Sequence, residues 1–158
     1  EHFYVIGVNS IRRRYHTRGH ISLSQIQEID LKLQQAPAHK LKLIAAHQPF
    51  YTPPDHSHGV KDCPMLGRIA LEQWSQHGLN GLLHGHLHHA AVYDLNQIYQ
   101  LGVSHPVLDI HAGTATSYRL HAGLPNSLNI ILPNADVQHF SFNAETNRFE
   151  LMQQNTSD

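Results

Sequence analysis

Apolar and polar positions along the first part of the chain follow the periods of strands and helices in turn. Residues 3–8 and 41–46 are short apolar runs of strand length. Between them, Ser22 and Gln25 have the spacing of a capping box, which marks the start of a helix. The apolar positions of this helix recur every three or four residues up to Gln35: Leu23, Ile26, Ile29 and Leu33. The pattern therefore predicts a strand, a capped helix and a second strand.

A second helix and a third strand are predicted after a long irregular segment. Residues 48–64 contain several prolines and read as a loop. Residues 66–77 have the apolar spacing of a helix that ends at Gly78, and residues 80–84 form the next strand. The helix face that carries the apolar residues consists of Leu66, Ile69, Ala70, Gln73 and Trp74.

Beyond residue 90 the pattern changes to short apolar runs with no helical period. We expect a β meander in this region, with strands at 90–94, 97–101, 107–111, 128–132, 137–142 and 147–152. Alternating strands and helices followed by strands predict the α/β class, in one domain that covers 1–158. Ligands of open α/β sheets bind at the carboxyl ends of strands. We therefore expect His47 and residues 84–89, which both follow strands, to meet at one site.

Composition narrows the class of protein. The 158 residues are 41% hydrophobic and carry a net charge of −1 at pH 7, so no basic field is available for non-specific nucleic-acid or anionic membrane binding. No apolar stretch approaches the roughly 20 residues of a membrane span. The single Cys63 excludes an internal disulfide and a four-thiolate zinc site. We expect a cytoplasmic protein without a membrane partner.

Histidine is the abnormal component, with 16 of the 158 residues. It is the commonest metal-ligand side chain, and the densest cluster lies at residues 84–89. In extended backbone, His86 and His88 would point to the same side, while Gly85 permits a turn. His47 adds a third imidazole at the end of a neighbouring strand. Three imidazoles suit zinc, iron, nickel or copper, and a mixed set of imidazoles and carboxylates admits manganese.

The sequence around these histidines resembles a known family. The order of a strand, His47-Gln48-Pro49, a long loop, a helix, a strand and Gly85-His86-Leu87-His88 is similar to the second half of the calcineurin-like metallophosphoesterases. It also resembles bacterial members related to cyclic-nucleotide phosphodiesterases. Further segments that resemble the family lie at 5–10, 19–22, 113–119 and 125–129.

The resemblance implies an enzyme that hydrolyses phosphoester bonds at a dinuclear metal centre. By position, His47, His86 and His88 correspond to metal ligands of the family. The implied cofactors are two divalent ions, either manganese, iron or zinc, and the implied substrate is a phosphoester or a cyclic-nucleotide-like small molecule. Arg119 is our candidate for substrate binding, because its planar fork matches phosphate oxygens.

The family motifs that supply the remaining ligands are not found in order. Asp109-Ile110-His111 satisfies Asp-x-His literally, but it follows Gly-His-x-His and lies in a predicted strand, so we do not assign a metal to it. We expect the chain to be the C-terminal half of a layered β-sandwich flanked by helices. The missing N-terminal half of the same domain would be its partner, and the chain alone would be inactive, with no catalytic residue of its own.

Two other interpretations stay open. A histidine-rich metal-binding module would explain the composition, but not the ordered resemblance that extends from Val5 to Asn129. An amidohydrolase also uses His-x-His at a strand end, but its barrel needs about 200 residues or more and alternating helices. The flanking His84 and His89 are expected to pack against or hydrogen-bond the ligands. The loop residues His56 and His58 are expected to be solvated.

Overall fold

The computed structural model describes residues 2–11, 13, 18–54, 59–118, 120 and 123–152. The predicted substrate residue Arg119 and the loop histidines His56 and His58 lie outside these residues. The elements in chain order are β1 (Phe3–Gly7), α1 (Leu23–Gln35), β2 (Leu41–Ala45), a short 3-10 helix (Gly59–Asp62), α2 (Gly67–Ser75), β3 (Leu79–His84), β4 (Ala91–Asp94), α3 (Leu95–Tyr99), β5 (Leu108–His111), β6 (Ser127–Ile131), β7 (Val137–Asn143) and β8 (Arg148–Leu151).

The larger sheet has five strands in the order β1-β2-β3-β5-β4. Its first four strands run parallel, and β4 pairs antiparallel with β5 at one edge. The carboxyl ends of β2, β3 and β5 therefore lie side by side, and His84 is in register with His111. This end of the sheet brings together the segment after β2, the histidine run after β3 and the end of β5.

The smaller sheet is an antiparallel meander of β6, β7 and β8. The expected meander is therefore correct for these three strands only, because β4 and β5 belong to the larger sheet. The expected strand at 97–101 is wrong. Asp94 accepts a hydrogen bond from the backbone N–H of Asn96 at 2.9 Å and caps the short helix α3. A five-residue helix is too short to show a helical period in the sequence.

The predicted α/β class agrees with the two sheets and three α-helices that the described residues form. Helix α1 begins with the predicted capping box, in which Ser22 and Gln25 exchange hydrogen bonds of 3.2 and 2.9 Å. Two positions of the predicted apolar helix faces, Leu23 and Ile69, are exposed. In α2 the buried stripe includes Ala70, Leu71 and Trp74, and Ile69 lies beside it.

The hydrophobic core lies between the helices and one face of the larger sheet. Trp74 is fully buried, and its indole N–H donates to the carbonyl of Ile26 at 3.0 Å, which ties α2 to α1. None of the helices formed by the described residues has the length and apolar character needed to cross a membrane. The core contains Ile6, Ile21, Ile26, Ile29, Leu33, Ile44, Phe50, Ala70, Leu71, Trp74, Leu79, Leu82, Leu95, Leu101 and Val107.

Candidate metal centre

The backbone around His47 is fixed by a buried serine in the segment that follows β1. The Ser10 hydroxyl accepts hydrogen bonds from the backbone N–H groups of His47 and Gln48, at 3.1 and 3.2 Å. The same hydroxyl donates to the side-chain oxygen of Gln48 at 2.6 Å. Ser10 and Gln48 are both fully buried, whereas His47 is exposed. Ser10 therefore holds the backbone of the turn after β2 from the protein interior, while the imidazole of His47 faces outward.

The structure brings His86 to His47. The Nδ1 atom of His86 lies 3.3 Å from Nε2 of His47, and the two rings meet edge to face. The other ring nitrogen of His86, Nε2, lies 3.1 Å from a carboxylate oxygen of Asp62. If His86 Nε2–H donates to Asp62, the lone pair of Nδ1 faces His47. We call these two imidazoles the surface pair.

The placement of Asp62 depends on a close backbone approach. The backbone carbonyl of Asp62 accepts a hydrogen bond from the N–H of Gly19 at 3.0 Å. A Cβ at position 19 would lie 2.5 Å from that carbonyl oxygen and 2.6 Å from the nitrogen of Pro64. Only glycine fits here, so Gly19 lets the segment after β1 hold the 3-10 helix that carries Asp62.

The surface pair fits a divalent transition metal. In tetrahedral coordination with metal–nitrogen distances of about 2.0–2.1 Å, two ligand nitrogens are separated by about 3.3–3.4 Å. The distance between His47 Nε2 and His86 Nδ1 is 3.3 Å. A metal-bound histidine usually donates its other N–H to a carboxylate, as the contact between His86 and Asp62 allows. The residues present can therefore hold one ion, with coordination positions left for other ligands.

The loop that carries His86 and His88 is not extended, contrary to our expectation. Both residues have left-handed backbone, with φ of 65° and 54°. Leu87 between them is buried, and its N–H donates to the carbonyl of Gly85 at 2.7 Å. The anchored leucine forces a tight turn, and the left-handed positions fall on the two histidines and not on Gly85. Such backbone is rare for residues other than glycine and recurs at functional sites.

His88 lies close enough to His47 to influence its charge. Partial burial lowers the pKa of His47, and the charges of His86, His84 and His88 lower it further. His47 is therefore neutral at pH 7, which is the form that binds metal. His88 is half-buried. Its role as a ligand stays a prediction, as do the roles of His47 and His86.

A second cluster of metal-ligand side chains lies directly beneath this loop. Asp109 in β5 is fully buried, and its two oxygens are approached by different imidazoles. His84 Nε2 lies 2.9 Å from Oδ1 of Asp109, and His111 Nε2 lies 3.0 Å from Oδ2. The three residues place ligand atoms within 4.8 Å of one another, so the group could hold a metal ion. We call these three residues the buried cluster.

The electrostatics of the buried cluster differ between its members. Burial by itself would raise the pKa of Asp109, but the charge of His84 and the hydrogen bonds from His111 and His84 hold it below its ordinary value. Burial lowers the pKa of His111 and outweighs the opposing hydrogen bond from Asp109. Asp109 is therefore a carboxylate and His111 a neutral imidazole at pH 7.

Sequence reasoning missed the buried cluster. His84 was expected only to support the ligands, and Asp109-Ile110-His111 was not assigned to a metal. The signal was the parallel alignment of β3 with β5, which sets His84 opposite His111 and which linear spacing does not reveal. Alternation along β5 then puts Asp109 and His111 on the same face of the sheet.

Two segments that resemble the family are joined in the structure. Asn126 donates to the carbonyls of Thr114 and Ser117 at 2.8 and 2.9 Å. Asn129 donates to the carbonyl of His111 at 2.8 Å. The start of β6 is therefore tied both to the loop after β5 and to the buried cluster.

Comparisons with known proteins found a likeness to solved structures. No family model matches the chain, and no curated protein matches it. A solved structure from Staphylococcus aureus, named as a candidate 5'-nucleotidase and bound to alpha-ketoglutarate, is similar with a TM-score of 0.45 and 14% identity. The likeness covers 94% of this chain but 26% of that protein. The assignment of function therefore depends on the chain's own residues.

Proposed function

We propose that this chain forms part of a metal-dependent phosphoesterase, in which His47, His86 and His88 bind metal. The observation that carries the proposal is the 3.3 Å approach of His86 Nδ1 to His47 Nε2, with Asp62 on the opposite nitrogen of His86. The site stands at the carboxyl end of a parallel sheet, where α/β enzymes bind their ligands.

The chain's own residues have separate roles in this proposal. His47 and His86 hold one ion, and His88 contributes to a second ion. Asp62 orients His86, because an imidazole that donates to a carboxylate is fixed in both tautomer and direction. Ser10 fixes the backbone of His47 by the hydrogen bonds described above. Divalent ions bound here would polarise a phosphoryl oxygen and stabilise negative charge that develops on it.

The site is incomplete with imidazoles alone. Imidazoles provide no negative charge to offset two dications, whereas dinuclear centres for manganese, iron or zinc use carboxylates as well. We propose that the carboxylates belong to an N-terminal half of the same domain that pairs with β1. This strand forms one edge of the described sheet, and its Val5 is 54% exposed. Unpaired strand edges favour pairing with a further strand.

The proposed substrate is a phosphoester or a cyclic-nucleotide-like small molecule. Arg119 is proposed to contact its phosphate, since a guanidinium can donate two parallel hydrogen bonds to phosphate oxygens. The proposed reaction is hydrolysis, which requires the complete dinuclear centre. We therefore expect no hydrolysis of a chromogenic phosphodiester by this chain alone.

The test is a calorimetric titration of the chain with Zn²⁺ and Mn²⁺ near pH 7.5. We expect His47→Ala and His86→Ala each to abolish the same weak binding event, because two imidazoles are a poor cage by themselves. His39→Ala is the matched control, since His39 is exposed and outside both clusters. In a longer polypeptide that supplies the carboxylates, the same two variants should lower phosphodiesterase activity by at least about 100-fold.

Three outcomes would contradict the proposal. Metal binding that is unchanged in both His47→Ala and His86→Ala would refute the ligand assignment. Metal-dependent phosphodiester hydrolysis by the chain alone would refute the need for further carboxylates. Tight binding of two ions to the surface histidines of this chain would favour the histidine-rich metal-binding module.

A further inference from the structure

The buried cluster contains a carboxylate whose charge is not balanced by an ordinary cation. Within the described part of the chain, Asp109 pairs with His84 and His111 and with no lysine or arginine. The side chains of His84, Asp109 and His111 are 0%, 0% and 1% exposed. An ionised carboxylate without water is costly unless a positive charge and hydrogen bonds compensate it.

The ring nitrogens of the buried cluster divide into two kinds. The Nε2 atoms of His84 and His111 both face Asp109, whereas the Nδ1 atoms lie on the far side of each ring. Among the residues that the structure describes, no group hydrogen-bonds Nδ1 of His111. The Nδ1 atom of His84 has only a weak contact, 3.5 Å from the carbonyl of Gly85. The converging Nε2 atoms, and not Nδ1, would therefore be the metal ligands.

Two separations within the cluster are compatible with ligands of a single ion. Ligand atoms about 2.0–2.2 Å from a metal, at angles between octahedral and tetrahedral, are separated by about 2.8–3.6 Å. The two imidazole–carboxylate distances are 2.9 and 3.0 Å. Two imidazoles and one carboxylate are a common ligand set for zinc and for ferrous iron.

We propose that His84, Asp109 and His111 bind a divalent transition metal of their own in the interior of the protein, separate from the surface pair. The ion would neutralise Asp109 and join the ends of β3 and β5. It would also brace the loop of His86 and His88, because Gly85 is the only residue between His84 and His86. The competing arrangement is a metal-free latch in which His84 and His111 hydrogen-bond Asp109 and no ion is present.

The experiment uses Co²⁺ and Zn²⁺ as probes and the double variant His47→Ala/His86→Ala, which removes the surface pair. His47 is exposed, the side chain of His86 is 13% exposed, and neither residue belongs to the hydrophobic core, so this variant should fold. We expect it to keep one equivalent of Co²⁺, with a visible absorption band of the bound ion. We also expect Tm to rise by about 5–10 °C when free metal is about 100 times Kd.

Substitutions in the buried cluster give the second part of the test. Asp109→Asn and His111→Gln keep approximate size, and each should weaken Co²⁺ binding at least about 10-fold. His39→Gln is the matched control and should bind like the wild type. Circular dichroism checks that each variant is folded.

The double variant decides the outcome even if the buried substitutions fail to fold. Absence of stoichiometric Co²⁺ and Zn²⁺ binding to it, with no change in Tm, would overturn the proposal in favour of the latch. Binding that His111→Gln leaves unchanged in a folded protein would also overturn it. Failure of the phosphoesterase proposal would look different, because it concerns only the binding that His47→Ala and His86→Ala remove.

Discussion

The surface pair and the buried cluster lie at the same end of the same sheet, yet their imidazoles are held in position in opposite ways. His47 is exposed and is held through its backbone by Ser10, while Asp62 fixes the ring of His86. In the buried cluster, Asp109 binds both imidazoles directly and water is excluded. The surface pair is therefore open to further ligands, whereas the negative charge of Asp109 must be balanced within the buried cluster.

The largest difference in the free energy of unfolding should appear between a substitution in the buried cluster and one in the surface pair. Asp109→Ala leaves two buried imidazoles without their carboxylate, and we expect it to lower the free energy of unfolding by about 3–5 kcal/mol. His47→Ala removes an exposed ring and should change this free energy by no more than about 0.5 kcal/mol. Urea unfolding in the presence of EDTA, followed by the fluorescence of Trp74, the single tryptophan, measures both.

The conservative variant Asp109→Asn is the control for this contrast. It keeps the size of the side chain and one oxygen acceptor, so its loss of stability should lie between the other two. Equal effects of Asp109→Ala and His47→Ala would mean that the buried cluster contributes nothing special to the fold.

A smaller effect should come from the support of the surface pair. Ser10→Ala removes the acceptor for the N–H groups of His47 and Gln48, and unpaired buried groups cost about 1–3 kcal/mol. The same variant should weaken metal binding at the surface pair while leaving the buried cluster intact. Calorimetry and urea unfolding check the two expectations, with Ser104→Ala, at an exposed serine outside both groups, as control. An unaltered surface pair in Ser10→Ala would show that the turn after β2 holds its shape without the serine.

Most of the helices and strands could be predicted because their sequence signals are local. The capping box at Ser22 and the apolar runs that became β2 and β3 depend on neighbouring residues only. Helix α3 was missed because Asp94 works as a cap over only five helical residues. Local patterns also could not show that β5 inserts between β3 and β4.

The same distinction between local and long-range sequence signals applies to the candidate site. The meeting of His47 with His86 followed from two strand ends at one sheet edge, and the structure brings the two rings together. The buried cluster depends on strand pairing between residues 25 or more positions apart, for which the sequence holds no direct signal. Asp62 was overlooked because a carboxylate in a proline-rich loop has no pattern that directs it to His86.

The smallest expected effect on stability concerns a histidine that lies outside both the surface pair and the buried cluster. His139 is half-buried and hydrogen-bonds Asn129 at 2.9 Å. Burial, with a smaller contribution from the charge of His89, lowers the pKa of His139 in the folded state. Its contribution to stability is therefore complete above the unfolded pKa of about 6.5 and is lost as pH falls through the folded pKa.

His139→Gln should reduce the loss of stability between pH 7.5 and 5 by less than about 0.5 kcal/mol, since solvent screens a half-buried group. Urea midpoints at the two pH values test this. A steeper loss in the variant than in the wild type would reverse the sign and show that the folded state favours the protonated ring.

The left-handed backbone at His86 and His88 has a consequence for how the sequence can drift. Each such residue other than glycine costs about 1–3 kcal/mol, which glycine would largely avoid. In a library of random variants sorted only for folding, glycine should therefore accumulate at both positions. A library sorted for metal retention should keep histidine there, so the two positions record whether a lineage has been selected for the stability of this turn or for its imidazoles.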